Sequence, residues 1–347
     1  MRITLAIIAA IVCLAAVAWI DLWVMPTGRL APPKEISIAK GESVRTVAHR
    51  LADAGVIRSS TVFLMYAELS GEARRVQPGD YEFKGEERIP EVLRHLVNGD
   101  FVSIVVAVPE GLTVHQIAER LAVAGLVCQS DFEQAAHDGP LMQALGLTPL
   151  GAEGYLFPAT YKFSPHARMP EVMAAMLMRF FQVLSPRAEQ RMFDLGLDAR
   201  ALVTMASIVE KEAKIPGERK LIASVFYNRL KLGMPLQSDP TAEYSFEGEN
   251  ESAAAAVRVR STFNTYAFAG LPPGPIANPG LRSIEAALYP AKTDYLYFVA
   301  RDDGTHIFSK SFQEHERAIA TLRKTVWREP NKPISASARH LSARVNH

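Results

Sequence analysis

Cysteine is nearly absent from this 347-residue chain, which has only Cys13 and Cys128, far apart. That excludes a disulfide framework and a thiolate metal site, which need several cysteines at characteristic spacings. No His/Cys/Asp grouping has metal-ligand spacing either, so neither a metal nor a cofactor is expected. Cys13 lies in an apolar run, and Ile11 and Val12 before it are not the small residues a lipid-attachment site needs. Cys128 reads as a small core hydrophobe rather than a nucleophile. An excess of one charge sign is also missing, with 38 Lys+Arg against 37 Asp+Glu and a net charge of +1. Without a basic excess there is no case for a nucleic-acid partner. Hydrophobic residues make up 48% and charged residues 22%, as in ordinary folded proteins. The length allows two or three domains at roughly 100–200 residues each.

Long apolar runs are scarce, with one exception. Residues 3–20 read ITLAIIAAIVCLAAVAWI without a charge, and about 18–20 such residues cover most of a roughly 30 Å hydrocarbon core. Trp19 and Trp23 mark the outer interface, while Arg2 and the terminal amine mark the inner side. This predicts a cytoplasmic N-terminus, with everything after Asp21 outside. A cleaved signal peptide would have a shorter apolar region, about 7–15 residues, and a small-x-small site. The run ends instead in WIDLWVMP, so residues 1–24 read as a retained transmembrane helix. Residues 25–36 follow as a Pro-containing extended linker.

Two segments about 70 residues apart resemble each other, SIAKGESVRTVAHRLADAGVIRSS (37–60) and AVPEGLTVHQIAERLAVAGLVCQS (107–130). Gly41 matches Gly111, Val44 matches Val114, Arg50 matches Arg120, Leu51 matches Leu121 and Gly55 matches Gly125. Each copy predicts a short strand, a Gly turn and a helix capped by Ser43 or Thr113. One apolar stripe recurs at i, i+3, i+4 and i+7, and a Gly stop follows. This grammar is similar to that of LysM modules, which bind N-acetylglucosamine. A duplicated spacer without sugar affinity has the same pattern. Between the copies, VQPGDYEF predicts a turn at Pro78–Gly79 entering a strand, then a helix near Ile89–Val97 ending at Asn98–Gly99. Residues 37–135 therefore read as one LysM-like α+β domain.

Residues 136–327 read as a second, mixed α/β domain, followed by a disordered tail over 328–347 with few large apolar residues. GAEGYLFPATYKF (151–163) places Glu153 just before several aromatics. That pattern fits either a sugar-holding surface or an aromatic hairpin packing the core. ARALVTMASIVEKEAKIPGERKLIASVFYNRLKLG (199–233) predicts two helices separated at Pro216, the second ended by Gly233. Glu210 borders the apolar face of the first helix, and Glu212 lies about 200° around the axis. A partly desolvated carboxyl suits a general acid, but a solvated Glu210 paired with Lys214 has equal standing on spacing alone. A Pro-containing loop follows at 234–244. The Pro/Gly-ordered loop 261–280 is long enough to suggest function. Next comes a hairpin (YLYFVA, a turn at Asp303–Gly304, HIFS) leading into a helix. His306 and His315 read as structural or capping residues.

EGYLFPATY, ASIVEKEA, VFYNRL, LQSDPTAEY, FNTY, GLPPGPIANPG, YLYFVA and EH occur in that order. The set resembles the MltG (YceG-like) endolytic murein transglycosylases, from the membrane helix to about residue 325. The chain departs from the family pattern at Thr262, where Pro is common, and at Glu316, where Asn is common. The resemblance implies a lytic transglycosylase in a bacterial inner membrane, with its catalytic domain on the periplasmic side. Its substrate would be nascent peptidoglycan glycan strands and its partners peptidoglycan synthases. Glu210 would be the catalytic carboxylate, and Glu153, Tyr155, Gln237, Asp239, Thr241, Tyr244, Asn264 and Tyr266 would line the glycan cleft. A hydrolytic muramidase with Asp239 or Glu153 as second acid, and a non-catalytic glycan-binding scaffold, are the alternatives.

Overall fold

Both repeat copies fold as their matched residues predict. In the computed structural model, Lys34–Ile38 (β1) leads through Gly41 at φ 85° into Val44–Asp53 (α1). The Ser43 side chain accepts the Thr46 N–H at 3.2 Å, and Gly55 adopts φ 75° just past the helix. Val47, Ala48 and Leu51 face inward. The described residues are 32–328 apart from 139, 148–150, 185 and 245–255, together with 14, 16, 17, 25–28 and 30. The predicted span 3–20 and the tail beyond 328 lie essentially outside them. Among the described residues no helix is long and apolar enough to cross a membrane.

The chain divides into two compact units, one up to Val105 together with Lys162–Ala167, the other Val106–Tyr161 with the chain from Arg168 onward. The first unit continues from α1 through Ser60–Leu69 (α2) to Gly79–Phe83 (β2), which pairs antiparallel with β1, and then to Ile89–Asn98 (α3). Alternation along the strands puts Ile36, Ile38, Tyr81 and Phe83 on the buried side, where α1 and α3 supply Leu51, Leu93 and Leu96. Gly99 ends α3 at φ 71°, the left-handed stop anticipated there. Ser164 donates to the buried Asp80 carboxylate, fastening the 162–167 excursion within this unit. Leu93 is fully buried, so Leu93→Ala is expected to destabilise this unit by about 2–5 kcal/mol, read by urea denaturation.

Ile104–Ala107 (β3) ends where the second unit begins, so the second repeat copy folds with the second unit and not with the first copy. Val114–Val123 (α4) repeats α1 closely. Thr113 caps it, Gly111 and Gly125 take φ 79° and 74°, and Ile117, Ala118 and Leu121 are buried. Even the long-range bond is duplicated: Arg50 donates to the Ser37 carbonyl, and Arg120 to that of Ala107. Gln129–Asp138 (α5) and Pro140–Ala144 (α6) follow. Cys128, expected in the core, is exposed. It lies in the linker between α4 and α5, outside either helix's apolar stripe.

The aromatic segment forms turns over 151–156 and then Thr160–Phe163 (β4), which pairs with β3 rather than closing a local hairpin. Gly154 sits at φ 86°, and a Cβ there would meet Pro275 and Val203 at 2.6 Å. Left-handed strain plus overpacking predicts a cost of about 2–4 kcal/mol for Gly154→Ala, measurable as a lowered thermal midpoint.

Met169–Val183 (α7) and Pro186–Leu195 (α8) precede Ala199–Glu212 (α9), Arg219–Lys231 (α10) and Asp239–Glu243 (α11). Asp198 caps α9 by accepting the Ala201 N–H at 2.7 Å. Every residue from Leu202 to Val209 is buried, so α9 is a central helix rather than one with a single inward stripe. Leu281–Leu288 (α12) packs along it, and α10 contacts both. The hairpin Tyr297–Ala300 (β5) and His306–Ser309 (β6) and the helix Phe312–Arg328 (α13) complete the described chain, as expected from 294 onward.

Candidate active site

The last turn of α9 carries Glu210, whose side chain is only 6% exposed. One oxygen, Oε1, accepts Arg219 Nη2 at 2.9 Å, and Oε2 accepts the Gly280 N–H at 3.0 Å. The ion pair forms with Arg219, at the start of α10. Gly280 is the N-cap of α12, so the carboxyl faces the positive end of a helix dipole as well as a guanidinium. Arg219 is itself held by Ser283, which accepts its Nε at 2.9 Å. Glu212 turns the other way, accepting from Ser238 Oγ at 2.6 Å, as the angle around the helix predicted.

Glu110, from the Gly turn of the second repeat copy, completes this cluster. Its Oε2 stands 3.9 Å from Arg219 Nη2, and its side chain is 46% exposed. A Cβ on Gly280 would fall 1.9 Å from Glu110 Oε1, so the glycine's missing side chain makes room for this carboxylate. Gly111 is held to the same loop by its N–H, which the Asn278 carbonyl accepts at 2.8 Å.

The other expected site residues occupy two further places. Glu153 is buried and accepts from the Val114 N–H at 3.0 Å, Asn278 Nδ2 at 2.9 Å and Tyr244 OH at 3.3 Å. Glu153 and Tyr244 also line a cleft of ≈ 230 Å³ with His115, Glu133 and His137, and Glu210 is not among its lining residues. Tyr155 lies in the core against Phe180, with ring centroids 5.1 Å apart. Burial pushes its phenol pKa up.

The remaining set gathers around α11. Asp239 accepts Tyr266 OH at 2.5 Å. Thr241 is fully buried, donates to the Ser238 carbonyl at 2.6 Å and lies 2.8 Å from the Thr265 hydroxyl. Asn264, also buried, spans the loop by donating to the carbonyls of Val257 and Val259 at 2.9 and 2.6 Å. Gln237 has φ 53°, the one positive φ outside glycine among the described residues, and its side chain accepts Arg229 Nη1 at 3.0 Å. A bulky residue in that region is a local strain, here stabilised by a buried arginine. His306 bonds Glu218 at 2.7 Å, and His315 stacks on Tyr297 at 5.3 Å. Both fit the structural role expected of them.

Sequence reasoning missed Glu110, Arg219, Gly280 and Asn278. A signal for the first was present: the residue before the turn glycine is Lys40 in one repeat copy and Glu110 in the other.

The YceG-like family model matches residues 36–321. An endolytic murein transglycosylase of Bacillus subtilis (strain 168) is 35% identical over 302 residues, covering 82% of this chain and 83% of that protein. A protein of the same name from Streptococcus pneumoniae serotype 2 is 30% identical over 318 residues, and the chain spans 57% of its length. The crystal structure of a yceG-like protein from Listeria monocytogenes aligns with a TM-score of 0.57 at 32% identity, covering 84% of this chain and 100% of that one.

Proposed function

The chain belongs to the YceG-like family, and from that premise we propose that it cuts peptidoglycan glycan strands as an endolytic lytic transglycosylase with Glu210 as its single acid/base. The observation that carries the residue assignment is the setting of Glu210. It is a nearly buried carboxyl in the ASIVEKEA block, aimed by Arg219 and by the amide that opens α12. An oriented carboxyl of this kind meets the geometric demand on a general acid/base.

In the proposed reaction, protonated Glu210 gives its proton to the glycosidic oxygen between N-acetylmuramic acid and N-acetylglucosamine as the bond from muramic C1 to that oxygen breaks. The muramic 6-hydroxyl oxygen then bonds to C1, and the Glu210 carboxylate takes the hydroxyl proton. The product is a 1,6-anhydro end, no water is consumed, and the residue returns to its starting form. Hydrolysis by a carboxylate pair would need a second acid across the scissile bond. Asp239 is engaged with Tyr266, and Glu153 with Val114, Asn278 and Tyr244. The names of the relatives favour the transglycosylase over the muramidase and over a non-catalytic scaffold.

Residues 3–20 are proposed as the single membrane anchor, which keeps the enzyme beside newly made strands. Cleavage there would terminate elongation and place glycan synthases among its partners. The strand–turn–helix grammar shared by both repeat copies supports a LysM-like contact with glycan, by the first copy in the unit that ends at Val105 and by the second in the unit that carries Glu210. Digestion of uncrosslinked glycan strands tests the activity. Mass spectrometry is expected to find 1,6-anhydromuramic ends, and hydrated reducing ends alone would overturn the reading.

A further inference from the structure

We propose that Glu110 is a positioning residue for the reaction. By partnering Arg219 it balances the guanidinium charge, so that Glu210 is able to carry the proton it must donate. The inference rests on the assignment of Glu210 as the acid/base. Arg219 places a full positive charge 2.9 Å from Oε1 of Glu210, the carboxyl that must both give and take a proton. The Gly280 N–H and the α12 dipole add to it. A second carboxylate beside the same nitrogen works against both.

Glu110 is placed for this. Its Oε2 lies 3.9 Å from the Arg219 Nη2 that binds Glu210. With Glu110 ionised and Glu210 protonated, the three-residue cluster is neutral. Without Glu110, a neutral Glu210 leaves the Arg219 guanidinium, only 9% exposed, as the uncompensated charge of the cluster. Gly280 keeps the arrangement open. Its φ of −78° suits any residue, so backbone conformation does not require glycine there, whereas a Cβ would displace the Glu110 carboxylate. The asymmetry between the repeat copies points the same way, since the second copy has an acid where the first has Lys40.

Several elements bring charged groups toward the cluster, and Glu218, directly before Arg219, is bonded to His306. Arg219 comes from α10 and Glu110 from the turn after β3. On α9 itself, Lys211 reaches the Gly111 carbonyl at 3.5 Å and Glu212 is turned to Ser238. From α11, Asp239 is bonded to Tyr266. At the mouth of α12 the contacts are the Gly280 amide and Ser283.

The test is the pH dependence of anhydro-end formation by the full chain in detergent, with Glu110→Gln, Glu110→Asp and Gly280→Ala compared with wild type. Activity that needs protonated Glu210 falls as pH rises through its alkaline limb. Removing the Glu110 charge is expected to move that limb to lower pH by about one pH unit, a roughly tenfold loss above the limb with activity regained on acidification. Glu110→Asp, which keeps the charge, should stay near wild type, and Gly280→Ala should move the limb in the same direction as Glu110→Gln. Overturning the inference would take a limb that does not move, or moves upward, in Glu110→Gln. Equal losses at every pH would mark Glu110 as merely structural. Glu210→Gln run alongside separates the two ideas: if it retains full activity, the acid/base assignment fails, whereas if it is inactive and the Glu110→Gln limb is unmoved, only the role of Glu110 fails.

Discussion

Glu210→Gln is expected to reduce the rate of anhydro-end formation by about 10²–10⁴-fold, toward the upper end because one residue both gives and takes the proton. The substitution keeps the shape of the side chain and removes its ability to exchange a proton. Structurally it is not silent. Both carboxyl oxygens accept N–H donors, from Arg219 and from Gly280. Whichever of these sites receives the amide nitrogen of glutamine then holds two opposed donors, at a cost of about 1–3 kcal/mol. Initial rates on isolated strands, read beside a thermal melt, separate the two effects. A protein that melts a few degrees lower but is still folded at the assay temperature, and makes no anhydro ends, is the expected result. Glu212→Gln is the control: it meets Ser238 on the other side of α9 and should lose far less.

Glu153→Ala is expected to act on stability, lowering it by about 1–3 kcal/mol for each buried donor left without its acceptor. Three donors converge on this buried carboxylate: the Val114 N–H that opens α4, Asn278 Nδ2 and Tyr244 OH. Asn278 extends the network, because its Oδ1 accepts the Leu156 N–H at 2.8 Å and its Nδ2 also donates to the Leu112 carbonyl at 2.9 Å. Removing the acceptor leaves buried donors without their partner, and the positive end of α4 loses its anion. Even Glu153→Gln faces an amide with groups that all donate. A double-mutant cycle of Glu153→Ala with Asn278→Ala, followed by chemical denaturation, should give a coupling of about 0.5–3 kcal/mol. A sugar-contacting Glu153 would behave differently, raising KM while leaving the unfolding midpoint in place.

These two residues mark where sequence reading succeeds and where it stops. Caps, stops and stripes are local, so Ser43, Thr113, Gly55, Gly99, Gly125 and Gly233 could be placed from neighbours a few positions away. Their backbone angles in the fold agree. The opposed faces of Glu210 and Glu212 also follow from helix geometry, and Glu212 does face away toward Ser238. The partners of Glu210 do not follow from it. Gly280 is 70 positions away in sequence, and Glu110 comes from the Gly turn near the start of the second repeat copy. Aromatic residues mislead for a related reason. Tyr155 sits in a segment that reads equally as a sugar platform or as core, and only the packing of α7 through Phe180 places it inside. Thr241 and Asn264 share a polar loop grammar with binding residues, yet their side chains are used up in ordering the loop itself. The second repeat copy separates from the first because β3 hands the chain to the second unit, a tertiary event that a periodic pattern does not encode.

The central claim, that Glu210 drives cleavage by the sugar's own hydroxyl, is tested most directly by digesting glycan strands in water enriched in heavy oxygen and weighing the new ends. Wild type is predicted to release 1,6-anhydromuramic ends carrying no label, and Glu210→Gln to release essentially none. Labelled reducing ends from wild type, or unlabelled anhydro ends from Glu210→Gln at an undiminished rate, would contradict it.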